Sequence, residues 1–245
     1  MNFLIVSSGY NCQHYVKKCV DSVSKQTYQN IKAVFISDGS MDNTNKNIFE
    51  STRYDNRFIA EIFPKNEGAA KRRFDAIKKY SESDEDIVLL LGLDDSLELN
   101  ALETIKQQYE SGKWMTYGNW RDNMGRMLPK KFDLNFSNHT HHKREYRQAI
   151  YRSTAPNTFK RFLFDQLTEE DFKVNGKWIL ATTESNLMFS CLEMCGKERI
   201  GVITDAIYLY NRRGRDSTKE MRGILYQLSI YNEMVNRPKK KLLIR

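Results

Sequence analysis

The feature that most constrains the fold is residues 86–95, an aliphatic run that ends in two adjacent carboxylates. A continuous apolar run of this length, bounded by polar clusters, is typical of a strand buried on both faces, and such strands belong to parallel sheets. Ligands of open α/β sheets bind at the carboxyl ends of the strands, where Asp94 and Asp95 fall. Because the two carboxylates repel each other, we expect a counter-ion, and a divalent cation bridging to a phosphate is the usual one.

A second interpretation of the same carboxylates is structural. An Asp directly before Ser96, Leu97 and Glu98 would cap a helix that begins near Ser96. Both interpretations hold together if one Asp caps the helix and the other remains available for a metal ion. The strands that precede this run favour the functional interpretation.

Length and composition limit the class of protein. A chain of 245 residues is long enough for one well-buried α/β domain, or at most two small ones. Hydrophobic residues make up 40% and charged residues 29%, which excludes an intrinsically disordered chain. The formal net charge of +8 suits an anionic partner, whether a nucleotide, a nucleic acid or a membrane surface. The sequence therefore predicts a globular protein with an anionic partner.

The sequence carries no signal for membrane insertion or export. No apolar run approaches the length of a membrane span, and the N-terminus lacks a basic leader and a cleavage site, so we expect a cytoplasmic protein. The four cysteines are Cys12, Cys19, Cys191 and Cys195. The last two lie one helical turn apart and could form half of a metal site. No nearby histidine completes that site, so free buried thiols are expected.

The first forty residues predict two parallel strands joined by a helix. Residues 3–7 and 31–36 are short apolar runs, and each ends in a polar turn that contains glycine. Between them, a helix over residues 13–25 carries an apolar stripe at three- and four-residue spacing: Val16, Cys19, Val20 and Val23. Elements joined by loops this short predict a right-handed parallel crossover, with Asp38 at the carboxyl end of the second strand.

A glycine loop and a basic helix follow the third predicted strand, residues 57–62. The loop, residues 64–68, leads into a helix that carries Lys71, Arg72 and Arg73. Backbone N–H groups at such a helix start can bind phosphate, and arginine adds bidentate binding of phosphate oxygens. The alternative for these cations is a solvated helix face, which is an equally good interpretation for Lys71 and a weaker one for Arg73.

The order of these motifs resembles the nucleotide-sugar half of family-2 GT-A glycosyltransferases. The resemblance rests on residues 6–11 (Val-Ser-Ser-Gly-Tyr-Asn), 19–28, 36–44, 66–68 with Arg73, and 93–95 (Leu-Asp-Asp), in unbroken order over residues 1–100. It implies a Rossmann-like α/β fold of the GT-A type, with a mostly parallel central sheet flanked by helices. It also implies a single domain over residues 1–245. Its parts would be a nucleotide-sugar half (1–100), an acceptor and catalytic half (101–220), and a C-terminal helix with a basic tail (221–245).

The resemblance also implies a donor site. The base and ribose would lie against the ends of the first, second and fourth strands, and the diphosphate against an arginine loop after the last strand. The donor-binding residues implied in this way are Ser8, Gly9, Tyr10, Asp38, Arg73, Leu93, Asp94, Arg212 and Arg213. The implied cofactor is Mn²⁺ or Mg²⁺, held by Asp94 with Asp95 close behind it.

Three positions depart from the family's pattern. The family has two acidic residues before its Gly-Ser turn, and here the first of them is Ser37. The first acid of its Asp-x-Asp motif is replaced by Gly92, so the carboxylate expected beside the ribose is missing. A histidine expected after the last strand is also absent. Gly92 and the absent histidine weaken the expectation of a metal ion. Gly92 and Ser185 make an inactive sugar-nucleotide-binding relative the main rival.

Weaker patterns predict the second half of the chain. Residues 114–120 and 202–210 are expected to be strands. The resemblance to the family implies that residues 162–164 begin an aromatic helix on the acceptor side. The polar residues 121–146 are expected to form a long mobile loop over the site. The basic residues 237–245 are expected to be a solvated tail, open to contact with an anionic membrane surface.

Glu184 is the candidate catalytic base. It stands at the N-terminal end of a predicted helix, where the helix dipole favours an anion, so Thr183 or Glu184 could simply cap the helix. In the family this position carries the acid that deprotonates the acceptor hydroxyl, commonly within a Glu-Asp pair or as a single Asp. Here the residue after Glu184 is Ser185, so Glu184 is the only acid available for that role. A base must reach the hydroxyl that it activates, and the longer side chain of Glu suits that reach.

The function implied by the resemblance is the transfer of a sugar, with inversion, from a nucleoside-diphosphate-sugar to a hydroxyl of a glycan or another acceptor. A uridine nucleotide is expected because it is the commonest in the family. The alternatives are a retaining transferase, an inactive relative and a nucleotidyltransferase, although the last would want a glycine- and lysine-rich loop after the first strand. Nucleic acid is not an expected partner, because most aromatic residues lie in apolar stripes and not among basic residues.

Overall fold

The computed structural model describes residues 1–127, 133–211 and 221–245, with the backbone alone at residues 221 and 222, and strands and helices alternate along most of these residues. The strands are β1 (Phe3–Gly9), β2 (Ile31–Asp38), β3 (Phe58–Phe63), β4 (Ile87–Gly92), β5 (Ser96–Leu97), β6 (Met115–Asp122), β7 (Asn157–Lys160), β8 (Lys173–Val174), β9 (Lys177–Trp178) and β10 (Ile200–Tyr210). The helices are α1 (Val16–Ser24), α2 (Thr44–Thr52), α3 (Ala69–Tyr80), α4 (Ala101–Glu110), α5 (Asn138–Lys143), α6 (Arg161–Phe164), α7 (Thr183–Met194) and α8 (Met221–Val235).

A single eight-stranded sheet organises the described residues, in the order β3-β2-β1-β4-β7-β6-β10-β5, while β8 and β9 form a separate hairpin. Strands β3, β2, β1 and β4 pair in parallel. Strand β7 runs antiparallel to both β4 and β6, so β6 and its parallel partner β10 point the same way as β4. The carboxyl ends of β1, β2, β4, β6 and β10 therefore share one edge of the sheet. The predicted mostly parallel sheet flanked by helices is confirmed.

Burial on both faces explains the continuous apolar runs. In β4, Val88 and Leu90 pack in one core with α3, α6 and α7, whereas Ile87, Leu89 and Leu91 pack in a second core with α1 and α4. Helix α1 turns its predicted stripe inward, since its buried residues are Val16, Cys19, Val20 and Val23. Successive side chains of a strand point to opposite faces, so a strand covered on both faces is apolar throughout, whereas a helix covered on one face has a single apolar stripe.

The predicted helix near Ser96 is wrong. Ser96 and Leu97 form β5, which pairs antiparallel with β10, and the next helix begins at Ala101 after the N-cap residue Asn100. Leu97 is buried, and the backbone N–H of Glu98 donates to the carbonyl of Ile207 at 2.9 Å. The backbone here satisfies its hydrogen bonds with a strand about 110 residues away, which no local pattern indicates. Because no helix begins near Ser96, neither Asp94 nor Asp95 caps one.

The predicted mobile loop is also wrong over residues 133–146, while residues 128–132 lie outside the described part. Leu134, Phe136 and Tyr146 are buried in the core, and α5 lies between them. The hydroxyl of Tyr117 in β6 donates to the carbonyl of Leu134 at 2.8 Å. A few apolar residues spaced through a polar segment are therefore enough to fasten it to the sheet.

The C-terminal tail is fastened to the protein at several points, while most of its side chains are exposed as predicted. Arg245 pairs with Asp84 at 2.8 Å, and the N–H of Leu243 donates to the carbonyl of Met194 at 2.9 Å. Further in, the N–H of Lys240 donates to Glu193 at 3.0 Å. The tail follows the rear of α7, where carboxylates and carbonyls are available to its basic groups.

A buried ion pair anchors this rear surface. Arg147 Nε donates to Glu193 Oε1 at 2.7 Å, and the side chains of both residues are almost fully buried. Arg147 Nη1 also donates to the carbonyl of Met234 in α8 at 2.8 Å. Because breaking such a pair leaves a buried charge without its partner, it ties α7, α8 and the tail firmly together.

The free buried thiols are confirmed, since all four cysteines are buried and reduced. Burial also raises the pKa of Cys191, which agrees with an inert structural thiol. Among the described residues, no helix is both long and apolar enough to cross a membrane.

Candidate functional site

The first part of the site is the end of β1, which lies between the ends of β2 and β4. Ser8 is in register with Ile36 of β2 and with Gly92 of β4. Its hydroxyl is buried and has no hydrogen-bond partner among the described residues. Two residues further along, the ring of Tyr10 is 44% exposed. An unsatisfied hydroxyl and an exposed aromatic ring beside each other suit a planar polar ligand.

Gly9 fits because nothing larger can. A Cβ at this position would lie 2.6 Å from the Cβ of Leu93 and 2.7 Å from Cys12 Sγ. Leu93 is itself fully buried, so its side chain belongs to the core and its backbone is the part that borders the site. The predicted donor contacts of Gly9 and Leu93 stay predictions, with Leu93 restricted to its backbone in this structure.

Hydrogen bonds join the loop after β1 to the loop after β2. The N–H of Asn11 donates to Ser40 Oγ at 3.0 Å, and that of Cys12 donates to Thr44 Oγ1 at 2.7 Å. The hydroxyl of Ser37, the position where the family carries an acid, donates to Ser40 at 2.8 Å. The two loops therefore form one wall of the site.

Asp38 is the buried centre of that wall. Its two carboxylate oxygens accept hydrogen bonds from the backbone N–H groups of Glu67 (3.0 Å) and Gly68 (2.7 Å). The guanidinium of Arg72 donates to the carboxylate at 2.7 Å, and both side chains are about 5% exposed. Asp38 therefore fastens the glycine loop and the start of α3, and its predicted contact with a base stays a prediction.

The N-cap position of α3, Gly68, requires glycine. Its φ of +91° lies in the left-handed region, and a Cβ there would lie 2.5 Å from Leu180 Cδ2. Just beyond it, Lys71 turns to Asp75, which it meets at 2.7 Å. Lys71 is half-buried and also lies over the ring of Trp178, 5.7 Å from its centroid, so its contact with phosphate stays a prediction.

The adjacent carboxylates at the end of β4 differ in their surroundings. Asp95 is buried, accepting from the hydroxyl of Tyr208 at 2.6 Å and from the N–H of Asn211 at 2.7 Å. Burial and then the charge of Asp95 raise the pKa of Tyr208 well above its ordinary value, which keeps its hydroxyl a donor. Asp95 thus ties the end of β4 to the end of β10. Tyr208 was missed by the sequence reasoning, because only the pairing of distant strands brings it here.

Asp94 is half-buried and lies beside the β1 loop. Burial, and after it the negative charge of Asp94, raises the pKa of Cys12 to about 12. The carboxylates of Asp94 and Asp95 lie close to the backbone of Gly92. A Cβ on Gly92 would lie 2.5 Å from Asp95 Oδ2 and 2.9 Å from Asp94 Oδ1, so a larger residue at this position would displace them.

The fit of a divalent metal ion depends on Asp94. Within residues 1–127, 133–211 and 221–245, no three His, Cys, Asp or Glu side chains cluster in a way that could hold a metal ion. Mg²⁺ is often held by one or two carboxylates together with substrate phosphates and water. A single carboxylate at the end of β4 fits that mode of binding, in which phosphate oxygens and water would supply the remaining ligands.

Glu184 lies in the first turn of α7 and meets Arg73 of α3. Arg73 Nη1 donates to Glu184 Oε1, and the hydroxyl of Thr183 donates to Glu184 Oε2 at 3.0 Å. The N-cap residue is Thr182, whose hydroxyl donates to its neighbour's carbonyl at 2.6 Å. Glu184 therefore bonds to a residue of another helix, and it is not the N-cap residue of α7.

Tyr151 flanks this ion pair from the segment before β7. It hydrogen-bonds to Ser185, and burial raises the pKa of Tyr151. Sequence reasoning missed Tyr151, since nothing in the local pattern places it beside α7. The remaining predicted donor residues, Arg212 and Arg213, lie outside the described residues. Their neighbour Asn211 is held by Asp95 and by Asn123, which donates to it at 3.0 Å.

This architecture defines the class of protein. A mostly parallel α/β sheet, with polar loops after its first two strands and carboxylates at the end of the fourth, is the GT-A glycosyltransferase fold. The sequence model of glycosyl transferase family 2 matches residues 5–168, more than half of the chain. The chain belongs to that family.

Curated relatives and solved structures agree with this assignment. The glycosyltransferase GlyG of Streptococcus pneumoniae serotype 4 is 31% identical over 106 residues, which is 43% of this chain and 34% of GlyG. The match therefore spans about a third of that relative's length.

Two solved structures show the same fold over nearly the whole chain. TarS 1–349 of S. aureus, in complex with UDP-GlcNAc, has a TM-score of 0.69 and 19% identity, covering 98% of this chain and 68% of that one. The mannosyltransferase PcManGT of Pyrobaculum calidifontis, in complex with GDP-Man and Mn²⁺, has a TM-score of 0.64 and 13% identity, covering 98% and 65%. At these identities the likeness establishes the fold alone.

Proposed function

We propose that the chain transfers a sugar from a nucleoside-diphosphate-sugar to a hydroxyl acceptor. The observation that carries the proposal is the meeting of the β1, β2 and β4 ends, which sets the unsatisfied hydroxyl of Ser8, the Asp38 wall and Asp94 at one sheet edge. Family membership supports the same activity. We take a UDP-sugar as the donor, in keeping with the UDP-GlcNAc bound by TarS, and the GDP-Man of PcManGT makes a guanosine donor the alternative.

In this mechanism the nucleotide lies along the end of β1. Ser8 and Tyr10 contact the base, and the wall held by Asp38 and Arg72 limits its position. Asp94 would hold Mn²⁺ or Mg²⁺, which would neutralise charge on the diphosphate leaving group. Arg212 and Arg213 are proposed to share that charge.

Asp95 receives a different role from the metal ligand implied by the resemblance. Its two oxygens accept hydrogen bonds from Tyr208 of β10 and from Asn211, the residue after β10. We therefore assign Asp95 to holding Asn211, which precedes Arg212 and Arg213, in place. A residue that fixes Asn211, next to the arginines proposed for the diphosphate, would affect their charge stabilisation through geometry.

Glu184 is proposed as the base. It removes the proton of the acceptor hydroxyl while that oxygen attacks the anomeric carbon, and the bond from that carbon to the diphosphate oxygen breaks. Attack opposite the leaving group inverts the configuration at carbon. If Glu184 is not the base, a retaining reaction in the same fold is the alternative. Gly92 and Ser185 favour a second candidate, a relative that binds sugar nucleotide without turnover.

A donor panel tests the proposal. Thermal unfolding is followed with UDP-GlcNAc, UDP-glucose, GDP-mannose or dTDP-glucose, each with Mn²⁺, Mg²⁺ or chelator. We expect one nucleotide to raise the melting temperature selectively, because a ligand that binds only the folded state stabilises it. Release of nucleoside diphosphate in the same samples separates a transferase from an inactive binder. If no nucleotide sugar stabilises the protein, the proposed function is wrong.

A further inference from the structure

Arg72 and Arg73 are consecutive on α3 but contact opposite sides of the site. Arg72 donates to Asp38 at 2.7 Å, at the end of β2. Arg73 reaches the start of α7 and donates to Glu184. One turn of α3 therefore holds both the wall proposed to contact the nucleotide base and the Glu184 carboxylate proposed to remove the acceptor proton.

Arg73 is packed along its length. The residue is 7% exposed, and it lines a cavity of about 10 Å³ with Phe74, Phe164 and Leu187. Its Nε is buried and has no hydrogen-bond partner among the described residues. An arginine surrounded in this way by aromatic and aliphatic side chains has little freedom to turn toward a diphosphate elsewhere.

The Glu184 carboxylate is restrained at both oxygens. Oε1 accepts from Arg73, and Oε2 accepts from Thr183 at 3.0 Å. The side chain of Glu184 is 38% exposed, whereas that of Arg73 is 9% exposed. The buried partner thus holds a carboxylate that an acceptor can approach.

We propose that Arg73 is a positioning residue, which holds the Glu184 carboxylate where it can take a proton, and not a ligand of the donor. The proposal rests on the proposed function of the site. A base must lie within about 2.6–3.2 Å of the hydroxyl that it activates, and a long glutamate side chain has several rotamers that miss this distance. A charge-assisted bond from a packed guanidinium selects among those rotamers. This assignment replaces the donor contact that the family resemblance implied for Arg73.

Arg73→Met and Arg73→Lys test the proposal, with Lys79→Met as the control, because Lys79 lies on the same helix and its side chain is 63% exposed. The readouts are the Kd for UDP and the kcat for UDP release from UDP-GlcNAc, with water in place of the acceptor. We expect Arg73→Met to lower kcat about 10²-fold through misplacement of the base, with an unchanged Kd for UDP. Arg73→Lys should restore part of kcat, because it keeps the charge. Lys79→Met should change neither quantity.

Two kinetic outcomes would overturn the inference. A weaker Kd for UDP with unchanged kcat would make Arg73 a donor ligand. Unchanged Kd and kcat would make the ion pair purely structural.

Failure of the proposed function can be told apart from failure of this inference. If the wild type binds none of UDP, GDP and dTDP, the proposed function is wrong, and the pair is then tested by urea unfolding of Arg73→Met, Glu184→Gln and the double variant. Coupled residues predict that the double variant loses less than the sum of the two shifts in the urea midpoint. Strictly additive shifts would show that the two side chains do not interact in solution.

Discussion

Replacing Glu184 by Gln is expected to lower kcat for sugar transfer by about 10²–10⁴-fold, the usual contribution of a general base. The amide keeps the shape of the side chain and can still accept from Arg73, but it cannot take a proton at neutral pH. Donor affinity should be unchanged, because Glu184 lies on the α7 side of Arg73 and away from the Asp38 wall. Initial rates of UDP release and calorimetric titration with UDP measure the two effects separately.

A matched control for this variant is Glu170→Gln, which changes a glutamate whose side chain is 75% exposed. It should leave both rate and affinity unaltered. Glu184→Gln with wild-type turnover would remove Glu184 from the chemistry and favour a retaining reaction. Loss of UDP binding in Glu184→Gln would instead show that the carboxylate supports the donor site.

The adjacent carboxylates provide the second large effect, because Asp94→Asn and Asp95→Asn should fail in different ways. Asp94→Asn is expected to lower kcat by about 10²–10³-fold, as loss of one group that stabilises developing charge does, and to weaken the dependence on Mn²⁺. Its stability should change little, since Asp94 is half-buried at a strand end. Rates measured over a range of Mn²⁺ concentrations give both effects.

Asp95→Asn should instead destabilise the fold by about 1–3 kcal/mol, the usual cost of a buried hydrogen-bonding group left unsatisfied. Tyr208 and Asn211 both donate to the carboxylate, and an asparagine offers an oxygen to one of them and an NH₂ group to the other. Urea unfolding measures this loss. The assignment of the two residues is reversed if Asp95→Asn abolishes the metal dependence at unchanged stability while Asp94→Asn unfolds more easily.

The fold of the first hundred residues was largely predictable because its signals are local. Residues 87–91 form an uninterrupted apolar run, since β4 is covered on both faces, and the stripe of α1 has a single period. The polar turns that follow β1 and β2 then mark one sheet edge, because carboxyl ends of parallel strands coincide there.

The parts that were mispredicted and the path of the tail depend on distant partners. Leu97 lies in a strand because β10 pairs with it, and the segment around Phe136 is ordered because Tyr117 hydrogen-bonds beside it. The tail follows α7 because Glu193 accepts from Lys240. Each of these contacts joins residues far apart in sequence, and a local pattern of propensity or polarity holds no information about them.

Side chains in the site raise a different problem, because one chemistry serves two purposes. A carboxylate or guanidinium at a strand end looks the same in sequence whether it binds a ligand or the protein itself. Asp38 is distinguished by the N–H groups of Glu67 and Gly68, and Asp95 by the hydroxyl of Tyr208. Only the folded distances show that both acids stabilise the walls of the site.

The most direct test of the central claim is a crystal structure of the protein with UDP and Mn²⁺. The account predicts that the uracil lies between Tyr10 and the wall held by Asp38, that the diphosphate and metal ion lie beside Asp94, and that Arg73 stays on Glu184. A nucleotide bound elsewhere, or a diphosphate that takes Arg73 from Glu184 and leaves Asp94 without contact, would contradict it.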